Sequence, residues 1–340
     1  NCVTGANNTS VGHNAGEKLL ASNNVAVGAS AMKYASLNDH CVAIGSSALI
    51  GAATQAVTCT LVAIGDATIT CSSTAHINVG HSVTGTGIPA GATVASINAG
   101  TGGASVTSFE LSAVATANGS QSITFASNTG DYNIAIGSYT LDATTSGSGN
   151  VAVGHQALTA LTTGVHNVAI GQAALDAIDV ENFNVAIGYS ALGAETSGAA
   201  GCVAIGGYAL QSQNVASANN TAIGYGSGLN LSGGKESVYV GYLAGGVGVI
   251  SGSNNTVLGH KAALNAVGMS SSVFIGESSG GLGVVAGADN TCVGRSTGYS
   301  LTSGASNVLI GRAAGKFLTD GANNIAIGHG AFDAANLGEN

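Results

Sequence analysis

The sequence predicts an all-β chain, a parallel β-solenoid (β-roll) of coils about 17 residues long with one small inserted β domain. One observation behind this prediction is a glycine that closes a short aliphatic phrase, as in Asn167-Val168-Ala169-Ile170-Gly171. A second is its regular return, at residues 12, 28, 45, 65, 137, 154, 171, 188, 206, 224, 241, 259, 276, 294, 311 and 328. Outside one interruption the spacing is 16 to 20 residues, and units this short stack because alone they cannot bury an apolar side.

The composition excludes several classes of protein. Of 340 residues, 54 are glycine, 45% are hydrophobic and only 7% are charged, which is the reverse of a disordered chain. The glycines lack the three-residue period of collagen. Seven Lys plus Arg form no basic patch, so we expect no nucleic-acid partner. No apolar run reaches the roughly 18 residues that span a bilayer, so we expect no membrane insertion in this segment, which we interpret as part of a longer protein.

Each closing glycine follows a predicted three-residue strand. In all sixteen copies the first strand residue is Val, Ile or Thr and the third is Val, Ile or Leu, whereas the middle one is Ala in ten. Residues two apart share one face of a strand, so we expect the first and third residues to fill the coil and the alanines to face outward. The entropy lost on ordering the backbone of one coil outweighs the free energy gained by burying its few aliphatic side chains. We therefore predict a homo-oligomer that buries the alanine face.

The residue before the strand is Asn in eleven copies. Stacked coils would align these amides as a hydrogen-bonded ladder, and the alternative is that Asn only tolerates the turn that enters the strand. The copies with the complete phrase begin at Asn24, Asn133, Asn150, Asn167, Asn184 and Asn324.

Small residues and a leucine follow the glycine, as in Gly45-Ser46-Ser47-Ala48-Leu49, and predict a second short strand on another face. Towards the C-terminus the leucine becomes Gly245, Gly280, Gly298 and Gly315, while the middle strand residue enlarges to Tyr239, Val257, Phe274, Cys292 and Leu309. We interpret these as compensating changes that move bulk from one face of the coil to another.

The interruption predicts a domain division into solenoid repeats over 1–49, an inserted β-rich domain over 50–128 and further solenoid repeats over 129–340. Short alternating stretches between Gly-rich turns favour strands in the insertion. Insertions into a repeat array are typical sites of recognition, and the alternative is a spacer without a ligand. Cys59 and Cys71 lie close together here and are candidates for a disulfide in an extracellular protein.

Four tyrosines are candidate ligand-binding residues. Tyr189, Tyr225 and Tyr242 directly follow a closing glycine, and Tyr208 lies one place further on. Tyrosines in a row suit stacking on the sugar rings of a surface polysaccharide, because the ring is apolar while its hydroxyl stays hydrated. The alternative is that they only cover neighbouring apolar surface.

The sequence offers little support for catalysis or for a cofactor. The acidic residues are scattered through turns, and only stacking would bring a pair such as Asp142 and Asp176 together. No phosphate-binding loop or nucleophile elbow is present. His13, His155, His260 and His329 share the tyrosine position and would form three-histidine rings near a trimer axis, but Arg295 and Arg312 occupy it too, which favours a solvated column. We predict no enzyme, no catalytic residue, no metal and no cofactor.

The phrases Asn-Val-Ala-Ile-Gly and Val-Ala-Val-Gly resemble the head repeats of trimeric autotransporter adhesins. That resemblance implies a homotrimer of β-rolls, intertwined or side by side, in which a Val/Ile pair fills each coil. The longer form, as in Leu158 to Asn167, resembles the repeats of bacteriophage tail-fibre proteins, and Val83 to Val94 resembles a phrase of phage structural proteins. The partners implied are two further copies, other virion or fibre components, and a host cell-surface glycan or protein.

We therefore expect a structural segment of a phage tail fibre that mediates host-surface attachment, located on the virion and extracellular. One alternative is a bacterial surface adhesin of the trimeric autotransporter type. Another is an ice-binding or self-assembling solenoid, although a regular outward threonine column is missing.

Overall fold

The computed structural model describes residues 6–17, 19, 22–33, 38–50, 56–61, 67–71, 83–85, 88–89, 92, 94–98, 107–113, 119–125, 130–144, 146–194, 200–213, 218–281 and 283–333. These residues form strands and turns, and they include no helix long and apolar enough to cross a membrane. The chain divides into two compact units, residues 1–150 with 160–164, and residues 151–159 with 165–340. The predicted all-β parallel solenoid is confirmed.

The repeat strands pair in parallel and in register, so that equivalent residues of successive coils lie beside each other. In the first unit these strands are β1 (Thr9–Val11), β2 (Val25–Val27), β3 (Val42–Ile44) and β10 (Ile134–Ile136). The second unit holds β11 (Val151–Val153), β12 (Val168–Ile170), β13 (Val185–Ile187), β14 (Val203–Ile205), β15 (Thr221–Ile223), β16 (Val238–Val240), β17 (Thr256–Leu258), β18 (Val273–Ile275), β19 (Thr291–Val293), β20 (Val308–Ile310) and β21 (Ile325–Ile327). The copy that ends at Gly65 lies outside the described residues.

The middle residue of each strand, and not its neighbours, points into the coil. Ala152, Ala169 and Ala186 are fully buried, whereas Ile170 is 38% exposed. The prediction that the first and third residues fill the interior is therefore wrong, as is the same expectation from the resemblance to adhesin heads. The reason is space: the opposite wall of the coil already carries a buried leucine such as Leu175, so the strand has room only for a methyl group. We call the first and third strand positions the outer columns.

The predicted second strand is also wrong, because the residues after the glycine form turns. The second and fourth of them have positive φ, as at Ser47 (55°) and Leu49 (44°). This left-handed conformation is costly for leucine, but it points the side chain into the coil, where Leu158 is fully buried. Its N–H still donates to the next coil, at the Ala174 carbonyl oxygen (3.1 Å).

The compensating changes are confirmed. Gly245 takes the leucine position with φ of 60°, and a Cβ there would lie 2.6 Å from Cδ1 of Tyr239. Gly280 likewise faces Phe274, at 2.7 Å from Cε1. In these two coils the large side chain lies on the strand and the turn position is glycine, because a densely packed interior has no room for both.

The closing glycines stack on one another along each unit. Gly276 has φ of 127°, and a Cβ there would lie 2.5 Å from the carbonyl oxygen of Gly294 in the next coil. Both the conformation and the close approach of two backbones require glycine at this position.

The asparagines form a buried column that joins successive coils. Asn167 donates from Nδ2 to the Glu181 carbonyl oxygen (2.8 Å), and its Oδ1 accepts the N–H of Asn184 (3.0 Å). Asn133 makes the equivalent bonds to the Gly147 carbonyl oxygen and the Asn150 N–H. Most of these bonds join a side chain to the backbone, as where Asn24 Oδ1 accepts the Cys41 N–H and Asn24 Nδ2 donates to the Asn38 carbonyl oxygen. Some amides also bond each other directly: Asn150 Nδ2 donates to Asn133 Oδ1, and Asn324 Nδ2 donates to Asn307 Oδ1.

The insertion forms its own sheet of six antiparallel-paired strands in the first unit. They are β4 (Ala56–Leu61), β5 (Thr68–Cys71), β6 (Val83–Gly85), β7 (Val94–Asn98), β8 (Thr107–Leu111) and β9 (Gly119–Phe125). On either side of it, β3 and β10 pair directly, with Val42 opposite Ile134. The boundaries 49/50 and 128/129 stay a prediction.

Candidate binding surface

The outer columns give the solenoid an apolar outer face. Their side chains are half-exposed throughout, and the most exposed reach 37% to 76%: Val11, Ile44, Ile134 and Ile136 in the first unit, and Ile170, Ile223, Val238, Leu258, Ile310, Ile325 and Ile327 in the second. No charged residue occurs at these positions in any copy. Contiguous apolar surface of this kind is typical of a protein interaction site.

A row of aromatic rings lies beside the outer columns in the second unit. Tyr189, Tyr208, Tyr225, Tyr242 and His260 contact one another in that order, with ring centroids 5.1, 5.6, 5.7 and 5.4 Å apart. We call these five residues the aromatic ladder. The structure thus brings together all four predicted tyrosines, and it adds His260.

Backbone hydrogen bonds between coils align the ladder. Each residue that directly follows a closing glycine in this unit has a carbonyl oxygen that accepts the N–H of the second residue after the next closing glycine. Tyr225 accepts in this way from Leu243 and Tyr242 from Lys261 (2.9 and 2.8 Å). Gly207 stands where the column would have its next side chain after Tyr189, and Tyr208 fills that gap from the following position. The ladder is therefore continuous although one coil lacks a side chain in the column.

The rings cover part of one another's faces. Tyr225, Tyr242 and His260 are stacked with interplanar angles of 14°, while Tyr208 stands nearly perpendicular to Tyr189 and Tyr225 at 77° and 84°. About half of Tyr189, Tyr225 and Tyr242 nevertheless stays exposed. Because stacking occupies ring faces along the column, the ladder offers a ligand mainly ring edges and hydroxyl groups.

Desolvation raises the pKa of Tyr208 above the usual phenol value, and the neighbouring Tyr189 and Tyr225 add to the rise. Like any protonated phenol, this hydroxyl can donate a hydrogen bond to a ligand.

The two candidate disulfide partners lie opposite each other on neighbouring strands. Cys59 of β4 pairs with Cys71 of β5 in the antiparallel register. The disulfide itself stays a prediction.

The remaining cysteines among the described residues are structural. Cys41, Cys202 and Cys292 are buried thiols, and burial raises the pKa of Cys292 to about 12. The described residues include no cluster of three or more His, Cys, Asp or Glu that would hold a metal ion.

Two carboxyl groups have perturbed acidity, one in each unit. Burial raises the pKa of Asp142 in the first unit to about 6, partly offset by backbone N–H groups. Burial also raises the pKa of Asp176 in the second unit. Raised carboxyl pKa values occur in catalytic acids and in buried structural groups alike.

Comparisons with protein-family models, curated proteins and solved structures found no match. The outer columns and the aromatic ladder are therefore the features of this chain that bear on its function.

Proposed function

We propose that this chain is a structural segment of an extracellular attachment fibre, a phage tail fibre on the virion. Three copies assemble through their outer columns, and each presents its aromatic ladder to a host-surface glycan. Three ladders on one fibre convert weak single contacts into firm attachment by avidity. This role needs no catalysis, metal or cofactor.

The observation that carries the proposal is the apolar outer face. The two outer columns, mostly Val and Ile with Leu258 and three threonines, carry no charge, run through eleven strands of the second unit and remain half-exposed in the single chain. A second copy is the occupant that fits best, because an identical repeat presents the same apolar columns at the same spacing. Closed cyclic symmetry is the usual outcome of such self-association. Because the strand alanines are buried inside each coil, the proposed interface is formed by the outer columns instead.

The solution mass tests the assembly. Sedimentation equilibrium of the chain should give the mass of three copies. Ile170→Glu combined with Ile223→Glu places charges on the outer face and should yield smaller species, whereas Gln172→Glu, exposed on the neighbouring column, should leave the mass unchanged. A monomeric wild-type chain with a β-sheet circular dichroism spectrum would contradict the proposal.

Cell binding tests the attachment role. Tyr225→Ala combined with Tyr242→Ala should weaken binding of the fibre to host cells, and Tyr139→Ala, an exposed tyrosine outside the ladder, should not. Antibodies against the segment should decorate virion fibres and block adsorption. Decoration of a bacterial surface instead would favour the adhesin.

The outer face also supports one alternative function. A flat, regular, outward β-surface is what an ice-binding solenoid requires, and the first outer column includes Thr9, Thr221, Thr256 and Thr291. Its other members are Val or Ile, so the threonine array is incomplete. Thermal hysteresis of a monomeric sample would favour this alternative over the fibre.

A further inference from the structure

The column that carries the aromatic ladder continues into charged residues. After His260 its next members are Glu277, Arg295 and Arg312, all exposed. The alignment persists, because Ser278 N–H donates to the His260 carbonyl oxygen and Ala313 N–H to that of Arg295, both at 2.9 Å. The ladder and the two arginines therefore lie along one line on the surface of the second unit.

The two arginines stand out in an acidic chain. They are two of only seven basic residues in a protein of net charge -9. Neither forms an ion pair with any described residue. Lys261, which follows His260 directly, adds a third cation beside the ladder, and Glu277 is the one acid that the column holds among the described residues of this unit. The guanidinium groups are thus available to an external anion.

We infer that the aromatic ladder, Arg295 and Arg312 form one binding track for a linear polysaccharide that carries carboxylate groups. This inference rests on the proposed attachment function and names its ligand class. Ring edges and phenol hydroxyls contact the sugar hydroxyls, and the planar guanidinium forks bind carboxylates by paired hydrogen bonds. Each step along the track is one coil, about 4.8 Å, so an extended polymer meets several rings and then both arginines.

The ladder is suited to this role because its side chains are already ordered. Tyrosine has few rotatable bonds, and ring contacts of 5.1 to 5.7 Å on both sides hold the central rings in place. Binding therefore costs little side-chain entropy. An apolar, uncharged ligand would gain nothing from the arginines, whereas a carboxylated one uses the whole track.

The test compares one polymer with and without its charge. Binding of the intact chain to polygalacturonate and to fully methyl-esterified polygalacturonate is measured by biolayer interferometry at low and high salt. Wild type should bind the acid form at least about tenfold more tightly, and added salt should weaken that binding. Arg295→Gln with Arg312→Gln should remove this preference, Glu277→Gln should strengthen acid binding, and Lys235→Gln, a cation off the column, should change little.

Two results would overturn the inference. In the first, wild type binds both polymers equally, Tyr225→Ala abolishes the binding and the arginine variant leaves it unchanged. The ladder would then be a site for neutral glycans, and the proposed attachment function would stand. In the second, the same assay at low salt is repeated with hyaluronate and polysialic acid. Absence of binding to these two and to polygalacturonate would overturn the acidic ligand class. The trimer mass and host-cell binding would still decide the proposed function independently.

Discussion

Tyr239 and Gly245 share one volume in the interior of the second unit: a Cβ on Gly245 would lie 2.6 Å from Cδ1 and 2.7 Å from Cε1 of the tyrosine ring. In another coil the small residue, Ala169, is on the strand and the large one, Leu175, is on the turn. Both side chains are fully buried. The two coils therefore fill this volume from opposite walls, one from the strand and the other from the turn.

This relationship predicts a strong coupling between the two positions. Gly245→Leu should destabilise the fold by about 2–3 kcal/mol through overpacking, and Tyr239→Ala by about 3–5 kcal/mol through a cavity. The double variant restores the arrangement of Ala169 and Leu175, so its urea unfolding midpoint should recover towards wild type. Additive losses in the double variant would show that the two residues do not share the space.

The stacked glycines predict that a Gly→Ala substitution lowers the free energy of unfolding most where the next coil packs closely on the glycine. Gly276→Ala should lower the free energy of unfolding by about 3 kcal/mol or more, because strain at φ of 127° adds to the close approach of the Gly294 carbonyl oxygen. Gly328→Ala is the matched control: φ is again 127°, but the nearest described atom is Cβ of Ala331 at 4.0 Å. It should cost only the backbone strain, about 1–2 kcal/mol, and equal losses at both sites would contradict the stacking argument.

The asparagine column predicts graded effects at Asn167. Asn167→Ala leaves the Glu181 carbonyl and the Asn184 N–H without their buried partners, at about 1–3 kcal/mol each. Asn167→Ser should cost roughly half as much. The serine at position 237 of the same column still accepts the next coil's N–H, from Asn255 at 3.0 Å, but donates within its own coil to the Lys235 carbonyl oxygen. Thermal unfolding should rank wild type above Ser and Ser above Ala, and equal losses for the two variants would contradict the ladder.

Asp142 predicts a stability that falls as pH rises. Its pKa is raised by burial from 3.8 to about 6 in the folded state, so between these values the folded protein holds a proton that the unfolded chain has released. The contribution of Asp142 to the free energy of unfolding is therefore largest below about pH 4 and is lost as the pH rises through about 6. Asp142→Asn should raise the urea midpoint relative to wild type at pH 7 and change it little at pH 4. The exposed Asp333→Asn serves as control, and an equal gain at both pH values for Asp142→Asn would refute the assignment.

The sequence pattern located every described repeat strand but assigned its two faces the wrong way round. Alternation shows which residues share a face, not which face is inside. Asn167 and Ala169 are two residues apart and so lie on the same side of the chain. A ladder of amides that bonds successive coils must be buried, and this places the alanine inside with it.

The turn after the closing glycine was incorrectly predicted as a strand for a different reason. Ala48 and Leu49 have the composition of a strand, yet Leu49 has φ of 44°. The exchange of this leucine for glycine in later coils was the signal, because a position that alternates between the two suits positive φ.

The aromatic ladder was partly predictable. The offset from the closing glycine aligned Tyr189, Tyr225 and Tyr242, and it held His260 as well. That the rings cover one another's faces depends on coil spacing and side-chain rotamers, which residue spacing does not determine.

The pairing of β3 with β10 has a consequence for how such a solenoid can accept an inserted domain. Asp39 N–H bonds the Asp131 carboxylate across 92 residues of chain, and Asp131 N–H bonds Ser148 across 17, in the same manner. The two strands that flank the insertion are therefore ordinary neighbours, about 4.8 Å apart. The coils on either side therefore keep their register around the inserted sheet, which makes this point of the first unit a suitable position for displaying a foreign domain.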